Sequence, residues 1–125
     1  MLYAILCYGE EAKVRSIGKQ RDEQLMAELA VVDEELVKEG KLGPHFRLQG
    51  IGSARTVRAS SAQVLDGPFA ETKEQLLGLY VVDCESMDEA LETARRLEVP
   101  RKRANVATAL EVRPLMSYYP GVSVE

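Results

Sequence analysis

The sequence centres on Asp66-Gly67-Pro68-Phe69-Ala70-Glu71-Thr72-Lys73-Glu74-Gln75, which lies between the apolar runs Val64-Leu65 and Leu76 to Val82. Asp66-Gly67 is typical of a turn, and Pro68 restricts the residue before it to an extended conformation. Thr72 and Gln75 have the spacing of a capping box, so a short helix is predicted to begin at Thr72. The segment is therefore predicted to be a shaped loop between a hairpin and a core strand.

Composition places the chain among small globular proteins with one domain. It has 125 residues, of which 46% are apolar and 29% charged. The net charge of −4 argues against a surface that binds nucleic acid or anionic membranes. No apolar run approaches the roughly 20 residues that a membrane span needs, and the first residues lack the basic start of a signal peptide. We therefore expect a cytoplasmic protein that binds neither nucleic acid nor membranes.

Two cysteines, Cys7 and Cys84, lie among apolar residues of predicted strands. This setting predicts buried free thiols in a reducing compartment. The alternative is a redox pair, although neither cysteine has a second one at Cys-x-x-Cys spacing. The sequence contains no recognisable metal-binding cluster or cofactor motif, so no metal and no cofactor are expected.

Hydrophobic periodicity predicts several strands and two long helices. Leu2 to Tyr8 is apolar on both faces, as in a central strand. Residues 19–39 carry apolar side chains at a helical period. A second helix is predicted to begin at the capping box Ser86-Met87-Asp88-Glu89 and to stop at Pro100, before a basic loop at residues 101–103. Further strands are predicted near residues 42–48, 54–59, 62–65, 79–82 and 108–115, with a turn at Ser60-Ser61.

The order of these elements is strand, helix, strand, hairpin, strand, helix, strand. This order predicts an α+β fold built as a doubled βαβ unit, with an antiparallel sheet and both helices on one face. Because the first strand is apolar on both faces, the face without helices needs a second covering layer. We therefore expect a homodimer in which two such sheets stack face to face.

The run from Asp66 to Gln75, with the residues that follow it to Tyr80, closely resembles the DGPF (DGPFAETKE) domain family of the YCII-related group. Thr56-Val57-Arg58, residues 110–114 and the opening residues 2–6 are similar to that family as well. The resemblance covers roughly residues 1–116 as one domain and leaves 117–125 as a C-terminal tail. It implies a ferredoxin-like α+β fold that assembles as a dimeric α+β barrel.

The resemblance also implies a range of activities. The wider group resembles dimeric barrels that host small-molecule lyases, isomerases and monooxygenases. Its better-studied branch has a histidine and an aspartate as a proposed active-site pair, with the histidine in the first helix. The corresponding helix here, residues 19–39, contains no histidine, and Lys38 stands near the position expected for the aspartate. Members of the DGPF branch also resemble proteins encoded beside alternative sigma factors, which suggests a signalling context.

Asp66 is the first candidate for a catalytic residue, and Glu71 is a second. A carboxylate at the mouth of a cavity between sheet and helices can transfer protons. The alternative is that Asp66 accepts hydrogen bonds from the backbone of its own turn. Glu71, Lys73 and Glu74 could likewise bind and activate a substrate. The alternative is that they form ion pairs across the dimer or with Arg58 and Arg113.

Arg58 and Arg113 are predicted to bind a carboxylate of a ligand or of the protein, because the guanidinium fork matches a carboxylate with two hydrogen bonds. If both point into the barrel, Asp66 or a glutamate should neutralise them. Lys73 and Phe69 complete the predicted ligand-binding set. Phe69 is also expected to pack into the core and anchor its loop.

His45 is the only histidine of the sequence and follows Gly43-Pro44 in a predicted loop. One interpretation is an exposed or half-buried loop histidine, and the other is a catalytic base. A metal ligand is the least supported role, because no second histidine or cysteine stands at ligand spacing.

Three functional hypotheses follow from these residues. The first is a dimeric module that binds a small molecule or regulates a partner, since no nucleophile–base pair stands out. The second is a cofactor-free lyase or isomerase that uses Asp66 with His45 or Glu71. The third treats residues 66–75 as a dimerisation clasp.

Overall fold

An antiparallel β-sheet forms the centre of the protein, which a computed structural model describes over residues 1–60 and 62–124. Ser61 of the predicted turn and Glu125 of the predicted tail lie outside this description. None of the described helices is long and apolar enough to cross a membrane. The strands are β1 (Leu2–Gly9), β2 (Leu42–Arg47), β3 (Arg55–Val57), β4 (Val64–Asp66), β5 (Gln75–Asp83) and β6 (Thr108–Pro114), and the helices are α1 (Glu11–Arg15), α2 (Lys19–Lys38) and α3 (Met87–Arg103).

The main sheet has the strand order β2-β5-β1-β6, and all of its neighbouring strands are antiparallel. Strands β3 and β4, which lie between β2 and β5 in the sequence, form a separate two-stranded hairpin. The predicted α+β fold with an antiparallel sheet is therefore confirmed.

The core lies between one face of the sheet and the two long helices. Along β1, every second side chain is buried, as the pleat of a strand requires. Ile5 is fully buried in this layer, where it meets Leu36 of α2 and Leu97 of α3. The N-terminus of α3 is capped as predicted, because Ser86 Oγ accepts a hydrogen bond from the backbone N–H of Glu89 at 3.2 Å.

The opposite face of the sheet has no covering layer among the described residues. Ala4, Leu6 and Tyr8 of β1 are half-buried there, and Leu6 pairs with Leu79 of β5. Phe46 of β2 lies beside Leu79 on the same face and is 50% exposed. We call this surface the open sheet face. It is the apolar second face that the sequence of β1 predicts.

Helix α3 continues through Pro100 and ends at Arg103, so the expectation that Pro100 stops the helix is wrong. Proline removes one backbone hydrogen bond and costs roughly 3 kcal/mol inside a helix. Pro100 is itself buried against the rest of the protein, and this packing offsets part of that cost. The predicted basic loop at residues 101–103 is consequently the last turn of α3, in which Arg101 is buried.

The segment of residues 54–60 and 62–74, which we call the arm, contributes no strand to the main sheet. No helix begins at Thr72, whose hydroxyl instead donates to the carbonyl oxygen of Glu74, and β5 starts at Gln75. Phe69 is 69% exposed, so the expectation that it packs into the core is wrong. The core consists of side chains from the helices and the main sheet, whereas the two strands of the arm pair with each other as the β3–β4 hairpin.

Candidate functional site

A cavity of about 180 Å³ lies between the main sheet and the helices α2 and α3. Apolar side chains of the sheet and of α2, together with Val14 and Val106, form most of its wall, as in many sites for small organic molecules. Seven residues of its wall can carry a charge or exchange a proton, and two of them, Asp22 and Arg47, pair with each other. The other five are Cys7, Asp33, His45, Tyr80 and Arg101.

His45 lies on β2 and not in a loop, so that prediction is wrong, and its position on the strand brings it to the cavity. The strand is at the edge of the sheet, which tolerates Pro44, and its register shifts between Leu42 and His45. After the shift, His45 pairs with Tyr80, whose side chain is buried on the helix-covered face. The two rings stack with their centroids 5.9 Å apart and their planes 13° from parallel.

Asp33 of α2 lies next to His45 in the wall of the cavity. The distance from Nε2 of His45 to Oδ2 of Asp33 is 3.7 Å, which is within ion-pair range when the imidazole is protonated. Nδ1 of His45 lies 2.9 Å from the carbonyl oxygen of Gly43. Because a carbonyl can only accept, Nδ1 carries the hydrogen of this bond, and Nε2 is left to gain or lose a proton beside Asp33.

The carboxyl group of Asp33 is in an unusual setting. Burial raises its pKa above the ordinary value, and the charges of His45 and Arg101 partly oppose that shift. Its Oδ1 atom is shielded from solvent and has no hydrogen-bond partner among the described residues. Buried polar atoms are nearly always paired, so this oxygen can accept a hydrogen bond or hold a proton without losing an existing partner.

Arg101 and Tyr80 form a second polar group in the cavity wall. The guanidinium of Arg101 donates to the hydroxyl oxygen of Tyr80 at 2.8 Å and to the carbonyl oxygen of Leu97 at 2.6 Å. Burial raises the pKa of the Tyr80 hydroxyl above its ordinary value, while Arg101 acts in the opposite direction. Burial also raises the pKa of the Cys7 thiol. Both groups are therefore neutral near pH 7.

Polar side chains border the cavity on two sides. At one side, Arg47 of β2 donates two hydrogen bonds to the carboxylate of Asp22 on α2, at 2.6 and 3.2 Å. On the other side, Asp33 and His45 also border an open groove beside Val37. The His45 side chain is 38% exposed, so a small molecule can approach the pair from this groove.

Of the site residues predicted from the sequence, only His45 lines this cavity. Asp66 lies on the arm, where its 92% exposed side chain binds Arg55 with an Nε–Oδ1 distance of 3.0 Å. The guanidinium of Arg58 instead lies 4.8 Å from the ring centroid of Phe69. The catalytic role predicted for Asp66 and the ligand-binding roles predicted for Arg58 and Phe69 stay predictions.

The remaining predicted residues are also at the surface. Glu71 and Lys73 are exposed on the arm. Arg113 is 70% exposed on β6, and its Nε lies 3.9 Å from Oε2 of Glu111. Arg113 pairs with Ala4 in the sheet, so its side chain lies on the open sheet face and not on the cavity side.

Asp33 and Arg101 are the site residues that the sequence analysis missed. Asp33 stands four residues after Leu29 and three before Leu36, both of which are buried. Arg101 stands four residues after the buried Leu97. Each is therefore a charged residue on the apolar stripe of a helix, and this interruption of the stripe was the available signal.

Comparison with known proteins gave one family and one curated relative. The model of the YCII-related domain matches residues 1–116. An uncharacterized protein of Rhizobium meliloti (strain 1021) is 50% identical over 124 residues, which are 97% of each chain. Both matches span nearly the whole chain.

Among solved structures, 5-chloro-2-hydroxyhydroquinone dehydrochlorinase (TftG) from Burkholderia phenoliruptrix AC1100, in complex with 2,5-dihydroxybenzoquinone, is similar with a TM-score of 0.48. The two chains are 20% identical, and the match covers 89% of this chain and 91% of that one.

Proposed function

The chain belongs to the YCII-related domain family, and from that membership we propose that it is an enzyme of the lyase or isomerase type. In this proposal, His45 and Asp33 transfer a proton on a small organic molecule bound in the cavity. The observation that carries the proposal is the His45–Asp33 pair in the wall of a largely apolar cavity. Perturbed ionisable groups in such a cavity are typical of catalytic sites.

The proton transfer begins at Nε2 of His45. The hydrogen bond to Gly43 keeps the hydrogen on Nδ1, so the lone pair of Nε2 is free to remove a proton from the substrate. The imidazolium that forms lies 3.7 Å from Oδ2 of Asp33, whose negative charge stabilises it. Apolar walls strengthen this attraction because they exclude water. The same nitrogen then returns the proton to another atom of the substrate or to the leaving group.

The sequence-based alternative assigns the proton transfer to Asp66 with His45 or Glu71. Asp66 and Glu71 are on the exposed arm, outside the cavity wall that includes His45. Within a single copy of the chain, Asp33 is the carboxylate that pairs with His45. This geometry supports Asp33, and not Asp66, as the residue that assists His45.

A module that binds a small molecule without converting it is the second candidate function. The apolar wall of the cavity supports it, because such a wall can hold an organic ligand without any reaction. Binding and catalysis differ in whether the rate of a reaction depends on His45, which can be measured directly.

The experiment uses 5-nitrobenzisoxazole, a small aromatic probe that opens when a base removes its carbon-bound proton. The proton passes to the base, the nitrogen–oxygen bond breaks, and a coloured nitrophenolate is released. We expect the wild-type protein to accelerate this reaction in a saturable manner. The variant His45→Gln is expected to lower the rate to about that of buffer, because a glutamine side chain cannot accept the proton.

The matched control is Glu34→Gln, which removes an exposed carboxylate next to Asp33 and should leave the rate unchanged. If wild-type protein binds the probe but opens it no faster than buffer does, the acid–base proposal is contradicted. The binding module would then be the better description.

The finer assignments belong to the same proposal. Residues 66–75 support the DGPF branch of the family, and the open sheet face supports a homodimer with stacked sheets. The buried free thiols Cys7 and Cys84 are consistent with a reducing, cytoplasmic location.

A further inference from the structure

We propose that Arg101 and Tyr80 form an anion-binding subsite, so that the ligand of the cavity is a small organic anion with an apolar body. The anionic group is a carboxylate or a phenolate. This inference rests on the proposed function only in placing the ligand in the same cavity. It adds the class of molecule on which the His45–Asp33 pair acts.

Arg101 is a buried cation with no carboxylate in direct contact among the described residues. Its side chain is 8% exposed, and it lines the cavity. Within residues 1–60 and 62–124, no carboxylate oxygen lies within 4.0 Å of its guanidinium, and its hydrogen bonds go to neutral acceptors. Glu98, on the same helix, instead accepts a hydrogen bond at 3.0 Å from the hydroxyl of Thr108.

The carboxylates of Asp33 and Glu98 act on Arg101 only from beyond 4.0 Å, and the two closer ionisable groups supply no negative charge. Burial raises the pKa of the Cys7 thiol and of the Tyr80 hydroxyl, so both are neutral near pH 7. A buried charge without a counter-charge in direct contact is unfavourable. An anion bound in the cavity would pair with the charge of Arg101 and remove this cost. The removal of the cost would add to the binding energy of the anion.

Tyr80 completes the subsite with a second donor. Its hydroxyl oxygen accepts the hydrogen bond from Arg101, and no described residue accepts the hydroxyl hydrogen. That hydrogen and the guanidinium can therefore donate to the same anionic oxygen. The ring of Tyr80 also stacks on His45, which places the subsite next to the proposed base.

Isothermal titration with benzoate and with benzamide tests the subsite, because the two probes have nearly the same shape and differ in charge. We expect wild-type protein to bind benzoate about 10- to 100-fold more tightly than benzamide, because hydrogen bonds to a charged group are stronger than those to a neutral one. Arg101→Met should reduce the affinity for benzoate to that for benzamide and leave benzamide binding unchanged. Arg95→Met changes an exposed arginine of the same helix and should alter neither affinity.

Tyr80→Phe is a second variant that keeps the aromatic ring in the core and removes only the hydroxyl. It should weaken benzoate binding roughly 3- to 10-fold relative to benzamide. Equal affinities of wild-type protein for the two probes, absence of binding, or an unchanged preference in both variants would overturn the proposal.

The subsite and the proposed proton transfer can fail separately. His45→Gln should retain the preference for benzoate, because the anion is held by Arg101 and Tyr80. A benzoate preference in a protein that does not open 5-nitrobenzisoxazole would leave the subsite intact and contradict only the enzyme. Turnover without any preference for benzoate would contradict only the subsite.

Discussion

Asp33 and Arg101 are charged residues at helix positions that face the core. Their partners differ in kind, because Asp33 faces an imidazole that can be protonated, whereas Arg101 has only neutral acceptors. Such positions lower the stability of the free protein unless a charge of opposite sign is supplied. Residues that cost stability in this way are common at functional sites.

The variant Asp33→Asn tests this cost at the residue scale. Because the folded protein raises the pKa of Asp33, the folded state binds its proton more tightly than the unfolded chain does. The protonated Asp33 therefore contributes to the free energy of unfolding. This contribution is fully present below the ordinary pKa of 3.8 and is lost as the pH rises through the raised pKa. We therefore expect Asp33→Asn to increase the free energy of unfolding at pH 7, measured with urea, and to decrease the reaction rate at least about tenfold.

Glu34→Gln is the control for Asp33→Asn, since it removes the same charge from an exposed neighbour. It should change neither the stability nor the rate. A variant Asp33→Asn that is less stable than wild type at pH 7 would show that the carboxylate of Asp33 is stabilising as an ion.

At the scale of elements, the position of β2 decides where His45 lies. The backbone of β2 passes close to β5 at Gly78, where an added Cβ atom would lie 2.4 Å from the carbonyl oxygen of Phe46. Gly78→Ala must therefore displace β2. We expect a loss of about 1–3 kcal/mol in the free energy of unfolding, as for other overpacked sites, together with a lower rate because His45 moves with the strand.

Gly52→Ala is the matched control for this substitution, because an added Cβ atom at Gly52 has no neighbour within 4 Å. Its effect on unfolding should stay within about 0.5 kcal/mol. A stable and fully active Gly78→Ala protein would contradict the close approach of the two strands.

Helices α2 and α3 are joined at their surface by Glu39 and Arg96. The guanidinium of Arg96 donates to both carboxylate oxygens of Glu39, at 2.9 and 2.6 Å. Nζ of Lys41 lies 3.2 Å from Oε1 of Glu39. Arg96 first, and Lys41 second, lower the pKa of Glu39 from 4.5 to about 2. A lowered pKa contributes stability above the ordinary value, and this contribution is lost as the pH falls from 4.5 to about 2.

We therefore expect Glu39→Gln to destabilise the protein at pH 7 and to reduce the loss of stability between pH 5 and pH 2. Chemical unfolding followed by circular dichroism at a series of pH values measures both effects. Glu85→Gln changes a carboxylate that has no ion pair among the described residues and should keep the wild-type pH dependence. Equal pH dependence in wild type and Glu39→Gln would show that this ion pair contributes nothing.

At the scale of the whole molecule, the open sheet face is the surface that one copy leaves uncovered. Leu6 lies near its centre, between Leu79 of β5 and Glu111 of β6. Burying such a face against a second copy is favourable, at roughly 25 cal/mol per Å² of apolar surface. We expect wild-type protein to sediment as a dimer and Leu6→Lys to sediment as a monomer, because two lysines would face each other across the interface.

Val31→Lys is the control for the assembly, since it introduces the same charge at an exposed apolar position of α2. It should sediment as the wild type does. A wild-type monomer at high protein concentration, or a Leu6→Lys dimer, would contradict the stacked-sheet arrangement.

The fold was predictable because its determinants are periodic and local. The apolar alternation of β1, the helical stripe of α2 and the capping box before α3 each specify an element and the face that it buries. The errors arose where a local signal competed with packing. Pro100 does not end α3 because it is buried, and Phe69 is outside the core because the arm pairs with itself.

By itself, the sequence therefore determined the α+β fold, the antiparallel sheet and the single histidine available as a base. Only the tertiary structure decided which residues surround that histidine. Asp33, His45, Tyr80 and Arg101 come from four different elements, and side chains so far apart in the chain meet only after the sheet and helices have packed. Periodicity carries no information about such long-range contacts, whereas it does indicate which face of an element avoids water.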